Sequence, residues 1–139
     1  MKIAVFKDTA AKAGKPVMDA FIQSLQGEDY VVCTNDKRPE VDVVVIWSVL
    51  LNMYGRKPIY DYYKNKAQII VIEVGGLIRN KTWRIGIGGI NAEADFANQD
   101  VDHVDDSRVR KLGLTLKPWR EMGGGGPIVI CLQNTKSEA

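Results

Sequence analysis

Histidine is almost missing from this chain: His103 is the single one in 139 residues. A Ser/His/Asp or Cys/His catalytic arrangement needs an imidazole beside its nucleophile, and none is readable around one histidine. Cysteine is scarce too. Cys33 and Cys131 fall in apolar, strand-like runs (YVVCT and PIVICLQ) and read as buried free thiols, not as a disulfide framework. Long hydrophobic runs are absent. The opening MKIAVFKDTA gathers four apolar residues before Lys7 and Asp8, short of the roughly 7–15 of a signal-peptide core. No run nears the ~18 apolar residues of a membrane span. These absences predict a cytoplasmic chain without a membrane partner. Charge of one sign is also lacking: the net value of +2 is too small to announce nucleic-acid binding by itself.

What is there is an ordinary globular composition, 45% hydrophobic and 26% charged. The length fits a single domain over residues 1–139. Short β-branched runs at Lys2–Phe6, Tyr30–Cys33, Val41–Trp47 and Gln68–Val74 read as buried strands. Between the first two, Pro16 opens a helix that carries Val17, Ala20, Phe21, Ile22 and Leu25 largely on one face, and Gly27 stops it. Between the last two, Pro58 opens another, with Ile59, Tyr62 and Tyr63 on one face. Thr82–Ile87 reads as a short strand or hairpin arm. Ser107–Leu112 reads as a short helix capped by Asp105 or Asp106 and stopped by Gly113. Gly123–Gly126 is too flexible for any element, and Ile128–Leu132 reads as a last buried strand. The alternation predicts an α/β fold: a Rossmann-like three-layer domain with a mainly parallel sheet of about five strands.

Open α/β sheets bind ligands at the carboxyl ends of their strands. That rule selects Lys7, Asp8 and Thr9 after the first strand, and Trp47, Ser48 and Asn52 after the third. It selects Glu73, Gly75 and Gly76 after the fourth, and Gln133, Asn134 and Thr135 after the last. Glu73 interrupts an apolar strand (IIVIEVGG). Two readings stand for it: an ion pair with Arg79 or Arg84, or a general base. Trp47, Trp83 and Trp119 sit beside loops, as stacking surfaces or as core anchors.

The glycines of VIEVGGLIRNKTWRIGIGG do not make a nucleotide fingerprint. G-x-G-x-x-G between a strand and a helix is missing, and so is G-x-x-x-x-G-K-[ST]. The segment DFANQDVDHVDDS fails the calcium-loop template for want of the glycine, so it reads as a solvated acidic loop; no metal site is predicted.

Four segments, VVVIWSVLL, RKPIYDYYK, IIVIEVGGLIRNKTWRIGIGGIN and PIVICLQN, carry a resemblance. Together they resemble the amino-terminal half of a glycosyltransferase-like family of bacteriophages, of the GT-B type with two Rossmann-like domains facing a cleft. The resemblance implies an acceptor-side domain acting in modification of DNA bases or glycans, in the host cytoplasm. It implies Glu73 and Asp8 as candidate bases, with Gly75, Gly76, Arg79, Trp83, Arg84 and Asn91 lining the cleft beside the strand-end residues Thr9, Trp47 and Ser48. No cofactor is implied; a sugar nucleotide would be the donor substrate, and DNA or a nucleotide the acceptor. No donor-binding half follows within the 139 residues, so three readings stand: a piece of a longer enzyme with a second domain, a subunit needing a partner, or a shortened relative that kept the fold and lost the transfer. The alternative expectation is a non-catalytic nucleotide- or protein-binding module, such as a phage factor acting on a host protein, that uses the same strand-end cleft.

Overall fold

The apolar run before Ser48 becomes the middle of a sheet. In a computed structural model that describes residues 1–48, 50–75, 78, 81–90, 94 and 107–115, five strands form: β1 (Lys2–Val5), β2 (Asp29–Val32), β3 (Val43–Trp47), β4 (Gln68–Val74) and β5 (Trp83–Ile87). Their order is β2-β1-β3-β4-β5. The first four are parallel, and β5 runs antiparallel to β4. The sheet is thus mostly parallel and the fold α/β-like. Its fifth member falls in Thr82–Ile87, the segment read as a short strand or hairpin arm. The predicted strand Ile128–Leu132, Cys131 with it, and the glycine run 123–126 lie outside the described residues.

The chain divides into two compact units, Met1–Asn98 and Gln99–Ala139. The first contains the sheet. It also contains helices α1 (Lys15–Ser24) and α2 (Arg56–Tyr63). In the second, the described element is α3 (Ser107–Lys111). Gly113 closes it with φ +67, donating to the Arg110 carbonyl while Leu114 donates to Val109. That paired closure satisfies carbonyls the helix leaves over, and its left-handed residue suits glycine. The predicted caps Asp105 and Asp106 lie outside the described residues.

Alternation along the strands sorts the core onto two faces. Ile3, Val5, Val43, Val45, Trp47 and Ile72 pack with Met18 and Leu25 on the α1 side. Ala4, Phe6, Val44, Ile46, Ile69 and Val71 pack with Ile59 and Tyr63 on the α2 side. All five β3 residues are buried, as a strand covered on both faces requires. The α1 stripe differs from expectation in one place. Met18, fully buried, takes the position assigned to Ala20, which is exposed. Two residues advance a helix by about 200°, so the two cannot share a face. Burying Met18 contributes roughly 1.5–3 kcal/mol.

Residues 33–42 cross from β2 to β3 as a loop. The Tyr63 hydroxyl pins it by donating to the Pro39 carbonyl at 2.7 Å. At its start Cys33 is 5% exposed, and burial pushes its thiol above the usual range. The folded state therefore holds this proton longer than the unfolded chain does. Stability from this group is present at neutral pH and is lost as pH rises through the raised value. In a Cys131→Ser background, Cys33 should react with a thiol reagent at pH 8 far more slowly in the native protein than in urea. Equal rates would contradict the burial.

The glycine-rich stretch owes its composition to packing. Gly86 lies in β5 opposite Val71. A Cβ built there would stand 1.9 Å from the Gly89 carbonyl oxygen. Just past it, Gly88 has φ 74 and donates to the Ile69 carbonyl at 2.7 Å. The chain thus folds back over β5 so closely that no side chain fits at position 86. No helix among the described residues is long and apolar enough to cross a membrane.

Candidate functional site

The chain leaves β1 to one side to form β2, then returns to the other side of β1 to form β3. Where strand order reverses in this way, open α/β sheets commonly bind their ligand outside the carboxyl ends of the two central strands, and that position is the candidate crevice here. Two described stretches stand there, the turn Lys7–Thr9 after β1 and residues 48 and 50–55 after β3.

Arg56, the first residue of α2, ties these loops together. Its Nε donates to the Thr9 carbonyl at 2.9 Å and its Nη1 to the Leu50 carbonyl at 2.8 Å. The residue is 2% exposed. None of the ion pairs among the described residues includes it. Burial pushes the guanidinium below its usual range, and the charge of Glu73 acts in the opposite direction. Arg56 and Lys57 open a helix with no acidic residue in its first turn. Two cations thus stand at the end of α2 where the helix dipole is already positive. Lys57 is offset by Asp61 at 2.7 Å; Arg56 has no such carboxylate within 4 Å among the described residues.

Strain concentrates in the same loop. Ser48 (φ 67) and Tyr54 (φ 54) are the non-glycine residues in left-handed backbone among those described. Each costs about 1–2 kcal/mol. Ser48 is held by its own N–H, which donates to Ile72 at 2.8 Å, and by its hydroxyl, which accepts from the Leu50 N–H at 3.1 Å. Asn35, in the loop after β2, donates through Nδ2 to the Tyr54 carbonyl at 2.9 Å. Residues in sparse regions of backbone space gather at ligand clamps and switch regions.

The residues predicted from sequence fall around this crevice with different exposures. Thr9 is fully buried; its hydroxyl donates to the Phe6 carbonyl and accepts from the Trp47 N–H. Trp47 is buried, its ring meeting that of Trp83 at 5.9 Å. Asp8 is exposed in the turn after β1. Glu73 is half-buried at the end of β4, and its Oε1 accepts from the Val74 N–H at 2.8 Å. It stands opposite Arg84 in the ladder, yet the two form no ion pair; Arg84 is exposed. Gly75 is buried against Thr82. Gly76, Arg79 and Asn91 lie outside the described residues. So do the predicted strand-end residues 133–135, Trp119 and the acidic segment around His103. Among the described residues no group of three or more His, Cys, Asp or Glu is placed to hold a metal ion.

Sequence reasoning missed Arg56, Tyr54 and Asn35. One signal was available for the first: "YGRKP" puts two cations and no acid at a helix start, against the dipole. An open depression of about 570 Å³ lies to one side, along Val31, Val32, Cys33, Thr34, Lys37 and Arg38. Neither of its cations is buried, whereas Arg56 is. Comparison of the chain with protein-family models, with curated proteins and with solved structures gives no match.

Proposed function

We propose that the first unit is a Rossmann-like, three-layer domain that binds an anionic ligand of nucleotide or sugar-phosphate type at the carboxyl ends of β1, β3 and β4. The observation that carries this reading is Arg56. A guanidinium taken out of water requires compensation. Two carbonyls supply hydrogen bonds here, but no carboxylate supplies charge within 4 Å among the described residues. A phosphate in the crevice would provide it, at the end of a helix whose dipole favours an anion.

A second reading is favoured by Glu73, half-buried on the same rim and close enough for its charge to act on Arg56. In it the chain is the acceptor-side half of a phage-type glycosyltransferase. Glu73, or the exposed Asp8, removes the acceptor's proton, and a further domain or subunit holds the sugar nucleotide.

Thermal unfolding with a panel of nucleotides, sugar nucleotides, ribose 5-phosphate and inorganic phosphate tests both. A ligand at 100 times its dissociation constant stabilises by about 2.7 kcal/mol. A rise in midpoint with at least one phosphorylated ligand is expected. Absence of any rise across the panel would refute the anion site. Sugar transfer that Glu73→Gln leaves at full rate would remove Glu73 as the base.

A further inference from the structure

Tyr54 has no place in the binding reading so far, and its conformation is costly. A bulky aromatic in left-handed backbone (φ 54) is a rare arrangement. Core burial does not repay it, because Tyr54 is 49% exposed. Leu50 and Met53 beside it are 47% and 48% exposed. Two contacts from outside the loop nevertheless hold this residue, one at its backbone and one at its ring. Asn35 holds the Tyr54 carbonyl, and the Arg56 guanidinium lies over the ring, 4.9 Å from its centroid.

We infer that Tyr54 is the platform on which the base of a nucleotide stacks. The inference rests on the anion-binding reading above and names the ligand's other half. A cation over one face of an aromatic ring draws π-density toward itself. The face left over is then a poorer partner for the C–H bonds of a bare sugar. It is a better one for an electron-rich, planar heterocycle, which gains by offset stacking. Leu50 and Met53, exposed in the same loop, offer further apolar surface. A polar handle lies alongside. Asn35 Oδ1 is buried and finds no hydrogen-bond partner among the described residues. Its orientation is fixed, because turning the amide over would aim oxygen at the Tyr54 carbonyl. An unmet buried acceptor is costly, and an amino or imino hydrogen on the base edge would satisfy it. The base on Tyr54 and the phosphate toward Arg56 then lie two residues apart in sequence, at the end of the loop and the start of α2.

The test is calorimetric titration of the full chain with AMP, GMP, CMP and UMP, and with ribose 5-phosphate as the baseless control. Tyr54→Asn keeps a residue that tolerates left-handed backbone and removes the ring; Tyr54→Phe keeps the ring. Tyr54→Phe should bind the best mononucleotide like the wild type. Tyr54→Asn should bind it about tenfold more weakly or worse, in the range of base–aromatic stacking, with ribose 5-phosphate unchanged. Tyr54→Trp gives a readout that does not depend on the stability of the Asn variant. Its added fluorescence should be quenched by the mononucleotide and not by ribose 5-phosphate. Unchanged mononucleotide affinity in Tyr54→Asn, or equal weakening of both ligands, would overturn the stacking role. So would an unquenched Tyr54→Trp. Failure of the wild type to bind any of the five probes would overturn this inference, and with no thermal rise across the wider panel the anion-binding reading falls with it; binding without an effect at Tyr54 would overturn this inference alone.

Discussion

Gly86→Ala should destabilise the first unit by about 3 kcal/mol or more, at or beyond the upper end of overpacking substitutions. The reason is geometric. The new methyl carbon would stand 1.9 Å from the Gly89 carbonyl oxygen, 3.1 Å from its carbon and 3.3 Å from the Ile90 Cα. All three are backbone atoms, so no side chain can rotate away. Relief requires moving the 88–90 turn, which is tied to β4 by the Gly88 hydrogen bond to Ile69 and carries the buried Ile90 into the α2-side core. Gly86 does not have positive φ, so backbone preference contributes nothing. Gly27→Ala is the matched control. It has φ +90 and nothing within 4 Å of a built Cβ, so it should cost only the left-handed penalty of about 1–2 kcal/mol. Urea midpoints of the two variants would decide it. A Gly86→Ala protein as stable as the Gly27→Ala control would show that the 88–90 turn does not press on position 86.

That substitution also marks where the sequence stopped being informative. The strands β3 and β4 were legible because runs of β-branched residues admit few other readings, and Gln68–Val74 matches its predicted bounds. The helices were legible from proline and stripe, although α2 begins at Arg56, two residues before Pro58. Proline within a first turn dates the helix start only to a residue or two. Strand order was not legible, nor was the antiparallel direction of β5, because pairing is set by contacts between distant segments. Gly86 illustrates the limit: a glycine in "RIGIGG" signals tight backbone, but not which carbonyl presses on it.

Of the candidate site, the strand-end position was legible and the residues that distinguish it were not. The strand-end rule led to Thr9, Trp47 and Ser48, and these do gather at the carboxyl ends of β1 and β3. All three are buried, and the Trp47 N–H donates to the Thr9 hydroxyl between the two strand ends. The groups that distinguish the crevice, Arg56, Tyr54 and Asn35, act through partners 47, 2 and 19 residues away. Two of those separations are long, and the third depends on a backbone conformation that tyrosine rarely adopts. Local pattern cannot encode either.

Arg56→Met should destabilise the protein by about 2–4 kcal/mol and loosen the 48–55 loop. The guanidinium makes two charge-assisted hydrogen bonds, each contributing roughly 1.5–3 kcal/mol, against the cost of holding the charge out of water. Methionine removes that cost along with the bonds, and leaves the Thr9 and Leu50 carbonyls facing a thioether that cannot donate. Arg56→Lys separates charge from geometry. Lysine keeps the cation but presents one compact donor in place of a planar fork, so it cannot reproduce the Nε and Nη1 bonds to two different loops. If Arg56 acts only as a clamp, Lys and Met should lose similar stability, and anion binding should fall alike in both. If its charge also recruits a phosphate, Arg56→Lys should retain measurable affinity for inorganic phosphate and Arg56→Met none, at comparable urea midpoints. Faster proteolysis within 48–55 in both variants would show the clamp released. A Met variant of wild-type stability would mean the two carbonyl contacts contribute nothing to holding β1 and β3 loops together, and the crevice would lose its rigid wall.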